Sequence, residues 1–343
     1  MYPTLNSNEI YAALYNQIIS QELFDRISDS SELVDNARVD GSLYGDTKTY
    51  FAADALFSNE WGNDAEAANL LALDRPDAPE TDTIVLDVFR QIRLTLDDYL
   101  SKRAWSNEFT FGQFNSLMEG MIGKTKRIYD VATYNCFACT EEVEAQNRTV
   151  AAGDEPEMEG KLIAEDLANL LVELKDYSRK FNEYGHITKF GESEIKVIWN
   201  SAAVNKIKKV DLPQIFHKEG LVDKFEQYVV PAKYFGTKVG AVDAAQNDGT
   251  YQALKEAMYG KEHVFPGEFI PKGVDIADGM AYKADDTILY KIYVKLPPYM
   301  SAFEVGTTFF NPRSLTTNRY LTFGHNTLKH LMAFPVITVR KSK

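Results

Sequence analysis

Between residues 84 and 96, apolar and polar side chains alternate with a period of two. The apolar members occupy even positions, interrupted only by Arg90: Ile84, Leu86, Val88, Ile92, Leu94 and Leu96. Polar residues at the odd positions are Asp87, Gln91, Arg93, Thr95 and Asp97. Because successive side chains of a strand point to opposite faces, the pattern predicts a strand with one apolar face.

This strand is the return leg of an extended stretch that runs from Gly41 to Trp105. The outward leg covers residues 47–51, and a polar middle that contains Pro76 and Pro79 separates the two legs. So long a stretch with little helix is uncommon within a compact domain. We therefore expect an arm that projects from the body and needs a neighbouring molecule to cover it.

The arm carries the candidates for contact between subunits, because aromatic side chains are enriched at such contacts. The six candidates are Tyr44, Lys48, Tyr50, Phe51, Phe57 and Trp61. Packing of the aromatic members into the subunit's own core is an open alternative.

Helical spacing of three and four residues recurs outside the arm. Ile10, Leu14 and Ile18 predict a helix in an N-terminal leader that lies outside the core. A second apolar stripe predicts a helix over residues 108–130. These helices place the arm between a leader and a long helix.

The middle of the chain has the pattern of an α/β subdomain. The clearest amphipathic helix covers residues 159–182 and is ended by Gly185. A short apolar strand at residues 195–200 follows, and then a helix over residues 202–207. An acidic, loop-like stretch at residues 136–159 predicts a boundary before this subdomain.

Strand-like runs return near the end of the chain, at residues 288–296 and 334–340. Since the chain is strand-rich both before and after the α/β segment, we expect early and late strands to share one sheet.

Charge and hydropathy exclude two classes of partner. The chain has 50 Asp and Glu against 37 Lys and Arg, a net charge of −13. This acidic balance argues against the basic surface that nucleic-acid binding needs. No apolar run reaches the roughly 20 residues that span a bilayer, and the N-terminus lacks the features of a secretory signal. We expect a protein that stays in the cytosol or in a particle assembled there, without a membrane partner.

No motif for catalysis is complete. Cys136 and Cys139 form a lone Cys-x-x-Cys without the further ligands that a zinc site needs, so two buried side chains are the favoured interpretation. Adjacent carboxylates are the feature that favours an enzyme: Asp97-Asp98 and Glu141-Glu142. Because neighbours on a strand point to opposite faces, a surface role is favoured for them. We expect no catalytic residue, no cofactor and no metal.

Taken in order, these elements resemble a major capsid protein of tailed bacteriophages, of the Hong Kong 97 type. The segments that carry the resemblance are the leader before Asp40, the arm from Gly45 to Leu100, the helix from Phe111 to Tyr129, the helix from Ile163 to Phe181 with the strand 195–200, and the closing strand 335–339.

The resemblance implies an α+β fold with an N-terminal arm, an extended β-hairpin loop (E-loop), a long spine helix, a peripheral domain and an α/β apical domain. The implied boundaries are 1–40 for the N-terminal arm, 41–105 for the extended loop and its return strand, 106–135 for the spine helix of the peripheral domain, 136–159 for an acidic linker, 160–300 for the apical domain and 301–343 for C-terminal strands returning to the peripheral domain.

The implied function is a shell subunit that self-assembles into hexamers and pentamers of an icosahedral capsid and encloses DNA without sequence-specific binding. Its implied partners are further copies of itself, with scaffolding, portal and decoration proteins, in a virion. Two alternatives stay open: a bacterial encapsulating shell of the same fold, and a soluble enzyme that uses carboxylates.

Overall fold

The fold was obtained as a computed structural model of the 343-residue chain. The structure describes residues 32–41, 47–56, 75–97, 108–141, 146–151, 156–207, 225–239 and 281–342. The described helices are α1 (Glu32–Ala37), α2 (Glu108–Cys139), α3 (Pro156–Leu174) and α4 (Ser201–Ile207). The described strands are β1 (Arg38–Asp40), β2 (Thr47–Ala52), β3 (Glu80–Asp97), β4 (Thr140–Glu141), β5 (Gln146–Val150), β6 (Lys196–Asn200), β7 (Glu226–Val230), β8 (Gly236–Val239), β9 (Ala281–Ala284), β10 (Ile288–Tyr293), β11 (Tyr299–Asn311), β12 (Thr316–Asn326) and β13 (Val336–Lys341).

Two compact units divide the chain. Unit 1 comprises Met1–Asp46, Leu86–Tyr134 and Tyr299–Asn326. Unit 2 comprises Thr47–Val85, Asn135–Pro298 and Thr327–Lys343. The strand β3 and the helix α2 each contribute residues to both units.

Unit 1 contains strands in the order β1, β11, β12 and β3. The strand β1 pairs in parallel with β11, whereas β12 pairs antiparallel with both of its neighbours. The strands β11 and β12 form a long hairpin, and Leu315 in its turn has a φ of 53°. The early strand β3 and the late strands β11 and β12 share one sheet, as the sequence predicts.

The alternation along β3 confirms the strand predicted from the sequence. Its even-numbered apolar side chains are buried or half-buried, and the most buried are Ile84, Leu86, Val88 and Leu96. The odd-numbered side chains from Thr81 to Thr95 are exposed. The apolar face that the arm was expected to bury against a neighbour is therefore covered within the chain itself, and that part of the prediction is wrong.

The segment formed by α1 and β1 belongs to the core of unit 1. Val34 is fully buried, and Arg127 of α2 donates two hydrogen bonds of 2.8 Å to the Asp35 carboxylate. The prediction of a leader outside the core up to residue 40 is therefore wrong for residues 32–40. The apolar spacing there is too short to be recognised as a helix, because α1 has only 6 residues.

A buried carboxylate organises the polar interior of unit 1. Asp130 of α2 is 1% exposed, and it accepts a hydrogen bond of 2.7 Å from the Tyr299 hydroxyl. Lys126 Nζ lies 3.3 Å away and the Arg38 guanidinium 3.5 Å away from its second oxygen. Because a buried charge is costly unless it is paired, these partners tie β1, α2 and β11 together.

The buried His325 of β12 is held beside this carboxylate in one tautomer. Its Nδ1 lies 2.9 Å from the backbone oxygen of Asn326, which only accepts, so Nδ1 carries the proton. Its Nε2 therefore accepts a hydrogen bond of 2.8 Å from the Tyr129 hydroxyl. Burial lowers the pKa of His325.

Unit 2 contains a five-stranded sheet, in the order β5, β13, β10, β6 and β7. The central strand β10 is buried along its whole length. Apolar side chains of α3 pack on this sheet, among them Ile163, Leu167, Leu170 and Leu174. The strand predicted at residues 195–200 is confirmed as β6, which precedes α4. The predicted amphipathic helix is confirmed as α3, although it ends at Leu174 and not near Gly185. A separate sheet of three short strands has the order β4, β8, β9.

Two boundaries predicted from the sequence are corrected by the structure. The helix α2 continues to Cys139, and β5 lies within the stretch expected to be an acidic linker at residues 136–159. The closing strand β13 pairs with β10 and β5 in the sheet of unit 2, so it does not join the strands of unit 1 as predicted. The pairing of β13 with β10 and β5 joins segments distant in sequence, which local patterns do not report.

Substitution of Gly41 by Ala tests the close approach of β1 to β11. A Cβ atom at Gly41 would lie 2.8 Å from Met300 Cγ and 2.9 Å from Ala302 Cβ. We expect a loss of about 1–3 kcal/mol in the free energy of unfolding, measured by urea denaturation. The control is Gly306→Ala on β11, where nothing lies within 4 Å of the new Cβ. Equal effects of the two substitutions would contradict this packing.

The buried His325 predicts a loss of stability on mild acidification. Since its pKa is lowered in the folded state, the unfolded chain takes up a proton near pH 6.5 while folded His325 stays neutral. The free energy of unfolding should therefore fall as the pH decreases from about 7.5 to about 5.5. His325→Asn should flatten this slope in urea denaturation series, and an unchanged slope would refute the assignment.

Candidate subunit-contact surface

The described part of the predicted arm is an antiparallel hairpin of β2 and the first part of β3. Its register places Lys48 opposite Ile84, Tyr50 opposite Asp82 and Phe51 opposite Thr81. Directly opposite residues share a face of the ladder. The hairpin therefore has an even-numbered face, which includes Tyr50 and Ile84, and an odd-numbered face, which includes Phe51.

The odd-numbered face of the hairpin is open to solvent within the chain. Its members are Thr47, Thr49, Phe51, Thr81, Thr83 and Val85, all of them exposed. Phe51 is 73% exposed and Val85 is 45% exposed. Burial of a phenylalanine side chain stabilises by roughly 1.5–3 kcal/mol, so this face gains when another surface covers it. We name these six residues the odd face.

Three of the six predicted contact residues lie on the described hairpin. Phe51 lies on the odd face, whereas Lys48 and Tyr50 lie half-buried on the opposite face. Burial raises the pKa of Tyr50. The other three candidates, Tyr44, Phe57 and Trp61, lie outside the described residues.

Asp54 connects the end of the outward leg to the connection between α3 and β6. One of its carboxylate oxygens accepts a hydrogen bond of 2.9 Å from the Ile187 amide, and the other accepts one of 2.6 Å from Arg179. The Ala55 amide adds a bond of 2.8 Å. The Ile187 amide and the Arg179 guanidinium lower the pKa of Asp54 to about 2, because both stabilise the ionised carboxylate.

Asp82 connects the return leg to two further groups of unit 2. It accepts a hydrogen bond of 2.8 Å from the Tyr184 hydroxyl and one of 3.0 Å from the Met332 amide. Burial and the hydrogen bond to Asp82 raise the pKa of Tyr184 to about 12. Both legs of the hairpin are thus hydrogen-bonded to other residues of unit 2.

Residues 178–188, which we call the receiving loop, are organised by their own hydrogen bonds. Ser178 and Thr188 exchange two backbone hydrogen bonds of 3.0 Å. The Asn182 side chain donates to the His186 carbonyl and accepts from the His186 amide. Gly185 takes a φ of 67°, a conformation that favours glycine. The loop therefore presents Arg179, Tyr184 and the Ile187 amide in fixed positions.

Sequence reasoning did not single out Asp54 and Asp82. Both fall in an acidic, polar part of the arm, where a carboxylate has no local signal that sets it apart. Their partners lie more than one hundred positions away along the chain. The partners become visible only once the fold is known.

Sequence reasoning also missed an exposed apolar turn in unit 1, where Phe309, Phe310 and Leu315 surround the turn of the β11–β12 hairpin. Leu315 combines 46% exposure with a positive φ, which is uncommon for a leucine. The turn residues Asn311 and Pro312 were the available signal.

The remaining candidates from the sequence gain no support as a reaction site. Cys139 is buried at the end of α2, while the side chain of Cys136 lies outside the described residues. One member of each adjacent carboxylate pair, Asp98 and Glu142, also lies outside them. Within the described part of the chain, no group of three or more His, Cys, Asp or Glu is arranged to hold a metal ion. None of its helices is both long and apolar enough to cross a membrane.

Comparison by sequence finds no match to this chain, either among models of protein families or among curated proteins. Comparison by structure finds matches. A chain in the capsid structure of Staphylococcus phage Andhra matches over 100% of this chain and 89% of its own length, with a TM-score of 0.59 and 13% identity.

A chain in a structure of the head fiber and inner core protein gp22 of native bacteriophage P68 also matches. The match covers 87% of this chain and 83% of the P68 chain, with a TM-score of 0.52 and 12% identity. The first match shows that this α+β chain has the fold of a chain in a phage capsid structure, and the second shows the same fold in a chain of a phage P68 structure. The family resemblance inferred from the order of elements is confirmed at the level of the fold.

Proposed function

We propose that this chain is the major capsid protein of a tailed double-stranded DNA bacteriophage. In this function it self-assembles into hexamers and pentamers of an icosahedral shell that encloses the genome. The observation that carries the proposal is the likeness in fold to the Andhra capsid chain, which extends over the whole of this chain.

The proposal assigns roles to the described elements. The hairpin of β2 and β3 is the base of the extended loop (E-loop), and α2 is the spine helix. Unit 1 corresponds to the peripheral domain, and the sheet of unit 2 with α3 and α4 corresponds to the apical domain. The assignment rests on the order of these elements along the chain, with the last strand β13 moved to the apical sheet.

The odd face of the hairpin is the contact surface we assign to a second copy. Its threonines and Phe51 combine hydrogen-bonding and apolar groups, as interfaces between subunits do. Because the even face already packs within the chain, Phe51 is the strongest of the described contact candidates. Lys48 and Tyr50 have a smaller role in this proposal, since they lie half-buried on the opposite face.

The other proposed partners follow from the capsid function. They are scaffolding, portal and decoration proteins, and assembly takes place in the cytoplasm of a bacterial host before the chain becomes part of the virion. The net charge of −13 favours enclosure of DNA without a tight or sequence-specific grip.

Assembly of the full chain on its own tests the proposal. We expect the purified protein, concentrated in the presence of a crowding agent, to form particles or five- and six-membered rings. Size-exclusion chromatography with light scattering and negative-stain electron microscopy measure this directly. A monomer under all of these conditions would contradict the proposal, and particles that co-purify with protein cargo instead of DNA would favour an encapsulating shell.

Substitution of Phe51 by Asp tests the odd face. Because Phe51 is 73% exposed, we expect the free energy of unfolding to change by less than about 0.5 kcal/mol. Particle yield should fall at least about tenfold, since the loss of an aromatic anchor at an interface costs about 2 kcal/mol or more. Val172→Asp on α3, 66% exposed and outside the hairpin, is the control. Normal assembly of the Phe51 variant would exclude this face as the contact.

A further inference from the structure

We propose that Asp54 and Asp82 are positioning residues for assembly: they clip the hairpin to the receiving loop and to the Met332 amide of the same chain, and so fix where the odd face is presented to a second copy. The role in assembly rests on the proposed function. The existence of the clip does not.

The two sides of the clip have complementary hydrogen-bonding groups. The hairpin supplies only carboxylate acceptors, and the body supplies only donors: the Arg179 guanidinium, the Tyr184 hydroxyl and the amides of Ile187 and Met332. Hydrogen bonds to an ionised group are about twice as strong as neutral ones. The two acceptors lie on different legs of the hairpin, so together they restrain its rotation as well as its distance from the body.

Three of the four donors belong to the receiving loop, which has hydrogen bonds of its own. The Ser178–Thr188 backbone pair and the Asn182 side chain hold the receiving loop, and Arg179 also donates a bond of 2.7 Å to the Gly185 carbonyl. A donor set organised in advance loses less conformational entropy when it binds an acceptor. The receiving loop is therefore suited to fix the hairpin and not merely to touch it.

The clip leaves the odd face uncovered. Asp54 and Asp82 reach the body while Phe51, between them in the folded hairpin, stays 73% exposed. The bonds that orient the hairpin are thus separate from the side chains that we assign to contact with a second copy. Loss of the clip should leave the contact residues intact and disturb only their position.

Single-residue hydrogen exchange on the unassembled chain tests whether the clip exists. We expect Asp54→Ala to accelerate exchange of the Ile187 amide at least about tenfold and to leave the Met332 amide unchanged. Asp82→Ala should do the reverse. Asp77→Ala, an exposed residue before the return leg, is the matched control and should change neither amide. Equal exchange in all four proteins would refute the clip, whatever the chain assembles into.

Particle yield then tests the positioning role. We expect the double variant of Asp54→Ala and Asp82→Ala to keep the unfolding midpoint of the Asp77→Ala control but to form at least about tenfold fewer closed particles. If the amides respond and the double variant assembles normally, the positioning role is wrong while the proposed function stands. If the unaltered chain forms no particles, the proposed function fails and the assembly role fails with it.

A mixing experiment tests that the clip forms within one chain. Asp54→Ala and Arg179→Ala chains each lack the Asp54–Arg179 bond, but a mixture contains an intact Asp54 on one copy and an intact Arg179 on the other. We expect no recovery of particle yield on mixing. Recovery would show that the clip joins two copies, and would overturn the proposal as stated.

Discussion

The alternation of side chains along β3 is the constraint on which the rest of the structure depends. Its even-numbered side chains, such as Leu86 and Val88, are buried, and no one-residue shift of register could keep them there. That register fixes which residues of β2 and β12 pair with β3. It also fixes which side chains are left outside, and Phe51 is the largest of them on the hairpin.

Charged groups have different roles in the two units. In unit 1, Asp130 is buried and has a hydroxyl and two cations as partners, and loss of both cations would leave an uncompensated buried charge. In unit 2, Asp54 and Asp82 lie nearer the surface and are bonded to a loop that has hydrogen bonds of its own. Contacts of the first kind maintain a fold, whereas contacts of the second kind set the position of an element with little effect on stability.

Much of the fold was predictable where one face of an element is buried. The period of two along β3, the helical stripe that became α3, and the apolar runs of β6 and β10 all report burial by the local sequence. The place of β13 was not predictable, because a strand of this composition suits either sheet and its partners β10 and β5 are distant in sequence.

The candidate site was predictable only in part for the same reason. Phe51 was found because an aromatic residue on an extended arm is a local signal. Asp54 and Asp82 were missed because an aspartate in an acidic stretch acquires its role from Arg179, Tyr184 and two backbone amides that only the fold brings near.

The central claim is that the odd face of the hairpin is exposed in the free subunit and covered by a second copy in the assembled one. Hydroxyl-radical footprinting of Phe51, before and after assembly, measures this most directly. We expect strong oxidation of Phe51 in the free chain and at least about fivefold less in particles, because burial of a hot-spot aromatic excludes water. Equal oxidation of Phe51 in the two states would contradict it.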